Sequence, residues 1–225
     1  MSVTSEQREL AKSQAMKPEA AEEESKVEAT KRASHALRGT IASTLADSTT
    51  KTFSDDDQVL LKFHGIYQQD DRDTRRSEDG KTYSLMIRLR LPGGILTDAQ
   101  WLRLDELADT YGNGTLRLTT RQSIQYHGVL KDNLKATMGA INQALISTIA
   151  ACGDVGRNVM APAAPFADGP HREAQRIADE ISRALIPATK AYHEIWLDGE
   201  AVEFESGASG AGAMDVEPLY GPQYL

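Results

Sequence analysis

Hydrophobic and polar positions alternate most regularly in YSLMIRLRL, residues 83–91. A period of two predicts a β-strand with its leucine-rich side toward a core and its polar side turned away. The inward positions are Leu85, Ile87, Leu89 and Leu91, and the outward ones are Met86, Arg88 and Arg90. Pro92-Gly93-Gly94 is typical of a turn and ends the strand.

The spacing then changes to that of a helix. Thr97 is the predicted N-cap and Gln100 completes a capping box. An apolar stripe of Trp101, Leu104, Leu107 and Ala108 predicts a helix to about Thr110. Two short alternating strands follow, with Leu116, Leu118, Ile124 and Tyr126 facing inward. A second helix is predicted from about Asp132, with Leu134, Met138, Ile141 and Leu145 on its apolar side.

The order strand–helix–strand–strand–helix predicts an α+β, ferredoxin-like half-module over residues 81–150. An N-terminal arm is expected at 31–80, and its stretch 58–73 begins with a strand-like pattern. Residues 151–205 start a further α+β domain, with a helix over about 168–186 and a strand at 194–200. The composition of residues 1–30 predicts a disordered or weakly helical tail, and that of 206–225 a linker with a truncated segment.

Charge is distributed unevenly along the 225 residues. The chain carries 25 Lys+Arg and 33 Asp+Glu, a formal net charge of −8, yet residues 81–131 carry 7 basic and 4 acidic side chains. Overall acidity argues against a general nucleic-acid binder. No apolar run approaches the roughly 20 residues needed to cross a bilayer. With Cys152 the only cysteine, an all-cysteine metal site made by this chain is excluded, and a cytoplasmic protein is the simplest interpretation.

The basic side chains of the middle segment fall on predicted strands. Arg88, Arg90, Arg117 and Arg121 meet on one sheet face if those strands are neighbours, and Arg157 can reach it from a glycine-flanked loop. Neutral donors occupy adjacent positions, namely Thr119, Ser123, Gln125 and His127. Guanidinium groups pair well with carboxylates and oxyanions, so the pattern favours recognition of a multiply charged anion. A solvated sheet face with surface salt bridges is the alternative.

A second polar cluster combines both charges. Its members are Asp70, Asp71, Arg72, Asp73 and Arg75. A metal site or a charge network is possible by residue type, and the interleaved arginines favour mutual pairing. No phosphate-cradling GxxxxGK[ST] loop is present in the sequence.

Several separated motifs resemble one known family. They are LRGTIA (37–42), KFHGIYQQDDRD (62–73), LRLPGG (89–94), RLTTRQSIQYHG (117–128), GRNV (156–159) and EIWLDGE (194–200). In this order and spacing they resemble the sulfite reductase hemoproteins of the siroheme nitrite/sulfite reductase family. The resemblance extends over about residues 31–205 and the last few positions.

The resemblance implies an assimilatory enzyme that reduces sulfite to sulfide with six electrons, at a siroheme coupled to a [4Fe–4S] cluster. It also implies a flavoprotein reductase subunit, which passes electrons from NADPH. Residues 151–205 would begin the siroheme-binding domain. By motif, Arg117, Thr119, Arg121, Gln125 and His127 match the segment that contacts siroheme. Arg88 and Arg157 match the arginines that bind sulfite.

The chain departs from the family in length. Two active-site lysines and the four cluster cysteines of the family have no counterpart here, since Cys152 matches none of them. The chain is therefore expected to be an N-terminal portion, inactive alone and without metal ligands of its own. A siroheme nitrite reductase portion and a non-catalytic anion-binding half-module remain alternatives. Nucleic-acid binding is disfavoured because the basic face lacks interleaved aromatic residues.

Overall fold

The computed structural model describes residues 25–35, 37–71, 81–152 and 156–186, together with residues 196–197 and 200–201. Of the predicted N-terminal tail, residues 1–24 lie outside the described residues, and residues 26–30 are helical. The predicted linker at 206–225 also lies outside them. Of the charged cluster near Asp70, only Asp70 and Asp71 are described.

Three helices precede the sheet: α1 (Lys26–Ala33), α2 (Ile41–Ala46) and α3 (Asp55–Phe63). Helix α3 shows that the expected strand at the start of residues 58–73 is wrong. Ser54 caps this helix by accepting from the Asp57 amide at 3.1 Å, and aspartates fill its first turn. Carboxylates there are stabilised by the helix dipole. The capping signal upstream of residue 58 therefore outweighs the apolar run that follows it.

Four strands form one antiparallel sheet in the order β1-β2-β4-β3. They are β1 (Ile66–Asp70), β2 (Tyr83–Arg88), β3 (Leu116–Leu118) and β4 (Ile124–Val129). Helix α4 (Asp98–Tyr111) connects β2 to β3, and helix α5 (Leu134–Gln143) follows β4. The predicted strand–helix–strand–strand–helix unit is confirmed. Strand β1 comes from the N-terminal arm and pairs with β2, at the position that the last strand of a β-α-β-β-α-β unit would take.

Helix α4 begins as its sequence predicts. Thr97 Oγ1 accepts from the Gln100 amide at 3.1 Å, and Gln100 Oε1 accepts from the Thr97 amide at 3.0 Å. The helix buries Leu104, Leu107 and Ala108. Trp101 was expected in the same apolar stripe but is 43% exposed, because it lies in the first turn of the helix and lines an open groove beside Leu118 of the edge strand β3.

The core lies between the sheet and helices α4 and α5. The inward residues of the strand at 83–91 are buried as predicted, as are Ile124 and Tyr126. Tyr126 donates its hydroxyl to the Leu104 carbonyl at 3.0 Å, which joins β4 to α4. Two predicted inward residues are instead exposed. Leu118 ends the short edge strand, and Leu145 lies in the turn after α5.

The second face of the sheet is covered at one end. Met86 and Arg90, which the alternation places on that face, are buried. The chain after α5 returns here and forms a bridge between Arg90 and Ser147. Helix α6 (Gly169–Ala184) follows, close to its predicted bounds, and packs on the turn at Pro92–Gly94.

Two short strands lie at the end of the described chain. Strands β5 (Trp196–Leu197) and β6 (Glu200–Ala201) pair within and just beyond the strand predicted at 194–200. Within the described part of the chain, every helix is too short or too polar to cross a membrane.

Candidate anion-binding site

A row of three side chains crosses the sheet on the face opposite helices α4 and α5. Arg88 on β2 is the register partner of Gln125 on β4, which is also the partner of Arg117 on β3. Strand alternation produces this arrangement, because the neighbours of each residue along its strand, such as Ile87, Leu116 and Tyr126, lie on the opposite face of the sheet. The prediction that these arginines share one face is confirmed, and Gln125 lies between them.

Gln125 is buried and joins the row by hydrogen bonds. In the amide orientation that gives both the oxygen and the nitrogen of Gln125 suitable neighbours, the oxygen accepts from Arg88 Nε at 2.8 Å and from Arg88 Nη2 at 2.5 Å. A neutral amide therefore fixes one edge of the half-buried Arg88 guanidinium without removing its charge. The remaining donors of Arg88 stay available for an anion.

His127 extends the polar group toward β1. Its Nε2 lies 3.4 Å from the Gln125 amide, and its Nδ1 lies 3.2 Å from Gln69 Oε1 on β1. Partial burial, helped by the charges of Arg117 and Arg88, lowers the pKa of His127 below its ordinary value. The imidazole is thus held neutral, with one nitrogen donating to Gln69. Sequence reasoning missed Gln69, although its place two residues after Tyr67 on a strand could have indicated the shared face.

Thr119 and Arg121 lie in the tight turn between β3 and β4. The Thr119 amide donates to the Ser123 carbonyl at 2.8 Å, and Thr119 Oγ1 accepts from the Ser123 amide at 3.2 Å. Gln122 has a φ of 54° in this turn. The Thr119 hydroxyl closes the turn as an acceptor, and its own proton has no acceptor among the described residues.

The loop at 156–159 lies beside this turn. Arg121 Nη2 donates to the Asn158 carbonyl at 3.0 Å, and Asn158 Nδ2 donates to the Arg121 carbonyl at 2.8 Å. The buried Asn158 also accepts from the Leu91 amide at 2.7 Å. Arg157, next to Asn158, is exposed. Burial raises the pKa of the Cys152 thiol to about 11, and the nearby charges of Arg88 and Arg157 oppose that rise.

Arg90 does not join this group, contrary to the expected cluster of four strand arginines. It is 4% exposed, and its guanidinium donates to Gly156 and to Ser182 on α6. The chain that returns over the end of the sheet covers it. Its role in the structure is to connect elements, and the exposed cations of the site are Arg117, Arg121 and Arg157, with Arg88 half-buried.

The assembled group is rich in donors and positive charge. Arg88, Arg117 and Arg121 make no salt bridge with any described residue, and the adjoining side chains of Gln125 and His127 are not acidic. Like charges on one face repel unless an anion lies among them. Across the described ranges, no grouping of three or more His, Cys, Asp or Glu side chains could hold a metal ion. The arrangement fits a ligand with several anionic oxygens.

A separate groove of about 690 Å³ opens along β3 and α4. Its walls are mainly apolar and include Leu91, Trp101, Leu102, Leu118 and Ile124. A polyanion would lose hydration there without gaining partners. The groove is therefore distinct in chemistry from the arginine row.

Comparisons with known proteins agree with this geometry. A family model described as "Nitrite/Sulfite reductase ferredoxin-like half domain" matches residues 75–144. That range includes the whole row of Arg88, Gln125 and Arg117. A solved structure of the Mycobacterium tuberculosis NirA protein superposes with a TM-score of 0.56 at 23% identity, covering 70% of this chain and 31% of that one. This likeness supports the fold.

Curated relatives are more similar in sequence. The sulfite reductase [NADPH] hemoprotein β-component of Methylobacterium radiotolerans is 53% identical over 197 residues, which is 86% of this chain and 31% of the relative. Those of Staphylococcus haemolyticus and Shouchella clausii are each 52% identical, over 85% and 89% of this chain. The chain spans about a third of the length of the curated relatives it matches.

Proposed function

We propose that this chain, whose residues 75–144 match the nitrite/sulfite reductase ferredoxin-like half domain, supplies the anion-binding wall of a sulfite reductase hemoprotein. The reaction is the six-electron reduction of sulfite to sulfide. The observation that carries the proposal is the row of Arg88, Gln125 and Arg117, which holds two guanidinium groups on one face without a carboxylate partner among the described residues.

The polar face suits siroheme, whose ring carries eight carboxylates. Arg117 and Arg121 are exposed and offer bidentate pairing to carboxylates at the rim. Thr119 offers the hydroxyl proton that its turn does not use. Gln125 and His127 complete the set as neutral groups, so they add hydrogen bonds without adding to the repulsion between the arginines.

Arg88 and Arg157 are proposed to act on sulfite itself. Siroheme, together with a [4Fe–4S] cluster held outside this chain, supplies electrons to the substrate sulfur when bound. The two guanidinium groups hold the sulfite oxygens by charge-assisted hydrogen bonds. They also stabilise negative charge that grows as the S–O bonds weaken, in the manner of an oxyanion hole. Gln125 keeps Arg88 in place for this role.

The proposal extends to the setting of the enzyme. The relatives are named as NADPH-dependent β-components, which supports a flavoprotein reductase subunit as the electron donor. A cytoplasmic enzyme of sulfate assimilation and cysteine biosynthesis is the corresponding setting. Reduction of nitrite by the same site is the second candidate, since the matching half domain is described for both reductases.

The experiment separates substrate binding from cofactor retention. Arg88→Ser and Arg121→Ala are made in a full-length hemoprotein in which this chain forms the matching third. Siroheme absorbance per chain and sulfite turnover per siroheme are then measured. A charged hydrogen bond contributes about 1.5–3 kcal/mol, so each loss is expected to be roughly 10- to 150-fold.

Arg88→Ser should lower turnover with siroheme retained, whereas Arg121→Ala should lower occupancy with turnover per remaining siroheme preserved. Arg103→Ala is the matched control, because Arg103 is exposed on α4 and pairs with Glu106. If Arg88→Ser loses the cofactor and turns over normally where siroheme remains, the division of roles is wrong. Faster turnover of nitrite than of sulfite by the unaltered enzyme would favour the second candidate.

A further inference from the structure

Arg90 is a buried cation that has no role in the proposed chemistry. It follows Arg88 by two residues on the same strand path, and its backbone amide donates to the Ser147 carbonyl at 2.7 Å. Its guanidinium has no carboxylate partner among the described residues, and burial lowers its pKa. Burying an unpaired charge is costly, so its hydrogen bonds must compensate.

Three neutral acceptors surround the Arg90 guanidinium. Nη1 donates to the Gly156 carbonyl at 2.7 Å, Nε to Ser182 Oγ at 3.1 Å, and Nη2 to the Ser182 carbonyl at 2.8 Å. One side chain thereby joins the end of β2, the loop at 156–159 and helix α6. The planar fork of arginine is suited to reaching several fixed acceptors at once.

These contacts bear directly on Arg157. The Arg90 guanidinium donates to the carbonyl of Gly156, the residue before Arg157. Asn158, the residue after Arg157, accepts from the Leu91 amide and donates to the Arg121 carbonyl. A Cβ at Gly156 would lie 2.8 Å from Leu185 Cβ, so glycine permits this close approach to the end of α6. Arg157 is therefore fixed through both of its neighbours in the chain.

We propose that Arg90 is a positioning residue that sets the backbone of Arg157 relative to Arg88. This inference rests on the proposed function, in which Arg88 and Arg157 share one anion. Because Arg90 follows Arg88 by only two residues at the end of β2, the anchor of the loop and the first anion-binding arginine have a fixed spacing. Arg90 acts through Arg157 and does not touch the ligand.

The test is a double-mutant cycle in the full-length hemoprotein described above. Arg90→Lys keeps the charge but cannot reproduce the three-acceptor geometry. It should raise the KM for sulfite by about tenfold, with siroheme occupancy unchanged. In an Arg157→Ala background the same change should alter the KM by less than about twofold, because coupled residues are not additive. Arg176→Lys, at an exposed ion pair on α6, is the matched control.

A second readout uses the 225-residue chain without cofactor. Arg90→Lys should speed amide hydrogen exchange in residues 157–161 and leave α4 unchanged. Ser182→Ala, which removes only the hydroxyl acceptor, should give the same pattern more weakly and serves if Arg90→Lys does not fold. Unchanged exchange in the loop overturns the proposal, as does a KM effect of Arg90→Lys that persists after Arg157 is removed.

The two hypotheses fail in different ways. If the unaltered hemoprotein neither binds siroheme nor reduces sulfite, the proposed function is refuted. The exchange measurement would still decide whether Arg90 holds the loop. A working enzyme with additive effects of Arg90→Lys and Arg157→Ala would refute only the positioning role.

Discussion

At the scale of single residues, the site depends on neutral groups placed among cations. Gln125 lies between Arg88 and Arg117, and His127 links Gln125 to Gln69. Because amides and a neutral imidazole add no charge, they orient the guanidinium groups without cancelling their attraction for an anion. The lowered pKa of His127 is the measurable sign of this arrangement.

Arg117→Gln is expected to raise the pKa of His127 toward its ordinary value of 6.5. The reason is that one of the two nearby positive charges is removed, while the partial burial of the ring stays the same. Titration of the imidazole resonances by NMR measures the change. Arg103→Gln, on the opposite side of the sheet, should have no such effect, and equal responses to both variants would contradict this account.

His64 gives a pH dependence to stability. Burial, together with the charge of Arg38, lowers the pKa of this imidazole, whose Nε2 lies 3.2 Å from the Leu37 carbonyl. The unfolded chain therefore binds a proton more readily than the folded one. The free energy of unfolding should be unaffected above about pH 6.5 and should decline as the pH falls below that value. Urea unfolding across pH measures it, and His64→Gln should flatten the decline.

At the scale of elements, local signals were predictive where a cap or a strict alternation specified the structure. The capping box of α4 and the strand at 83–91 are clear examples. Burial was not predictable at Leu118 and Leu145, because it depends on where an edge strand and a helix end. Burial of Arg90 could not be predicted either, since the segments that cover it are distant in sequence.

Thr97→Ala should lower the free energy of unfolding by about 1 kcal/mol, the usual contribution of such an N-cap. The substitution removes the oxygen that accepts from the Gln100 amide. Urea denaturation with an unchanged m-value would measure it. Thr110→Ala, near the other end of α4, is the control, and an equal loss there would show that the cap is not the cause.

At the scale of the whole molecule, the described chain has two unlike exposed surfaces. One is the arginine row, and the other is the apolar groove where Trp101, Leu102 and Leu118 are exposed beside the edge strand β3. The sequence predicted the first through its arginines and the resemblance of its motifs. Exposed apolar surface and an open sheet edge were also expected of the chain alone, but not at Leu118 and Trp101, because Leu118 alternates like a core residue and Trp101 follows helical spacing.

The apolar groove is expected to make the isolated chain self-associate, since an edge strand beside exposed apolar side chains is a site for intermolecular pairing. Leu118→Lys should shift the chain toward monomer in sedimentation velocity. Asn142→Lys adds the same charge at an exposed position of α5 and should leave association unchanged. A compact monomer of the unaltered chain at high concentration would refute this expectation.

The place of β1 at the edge beside β2 has a consequence for synthesis. The four strands of the sheet and both covering helices are encoded before residue 144, and only the bridge from Arg90 to Ser147 comes later in the chain. Domains can fold as they emerge from the ribosome, and hairpin-like neighbours such as β1 and β2 have low contact order. A nascent chain can therefore form this scaffold before the loop that carries Arg157 has emerged from the ribosome, and the loop then closes onto a sheet already formed.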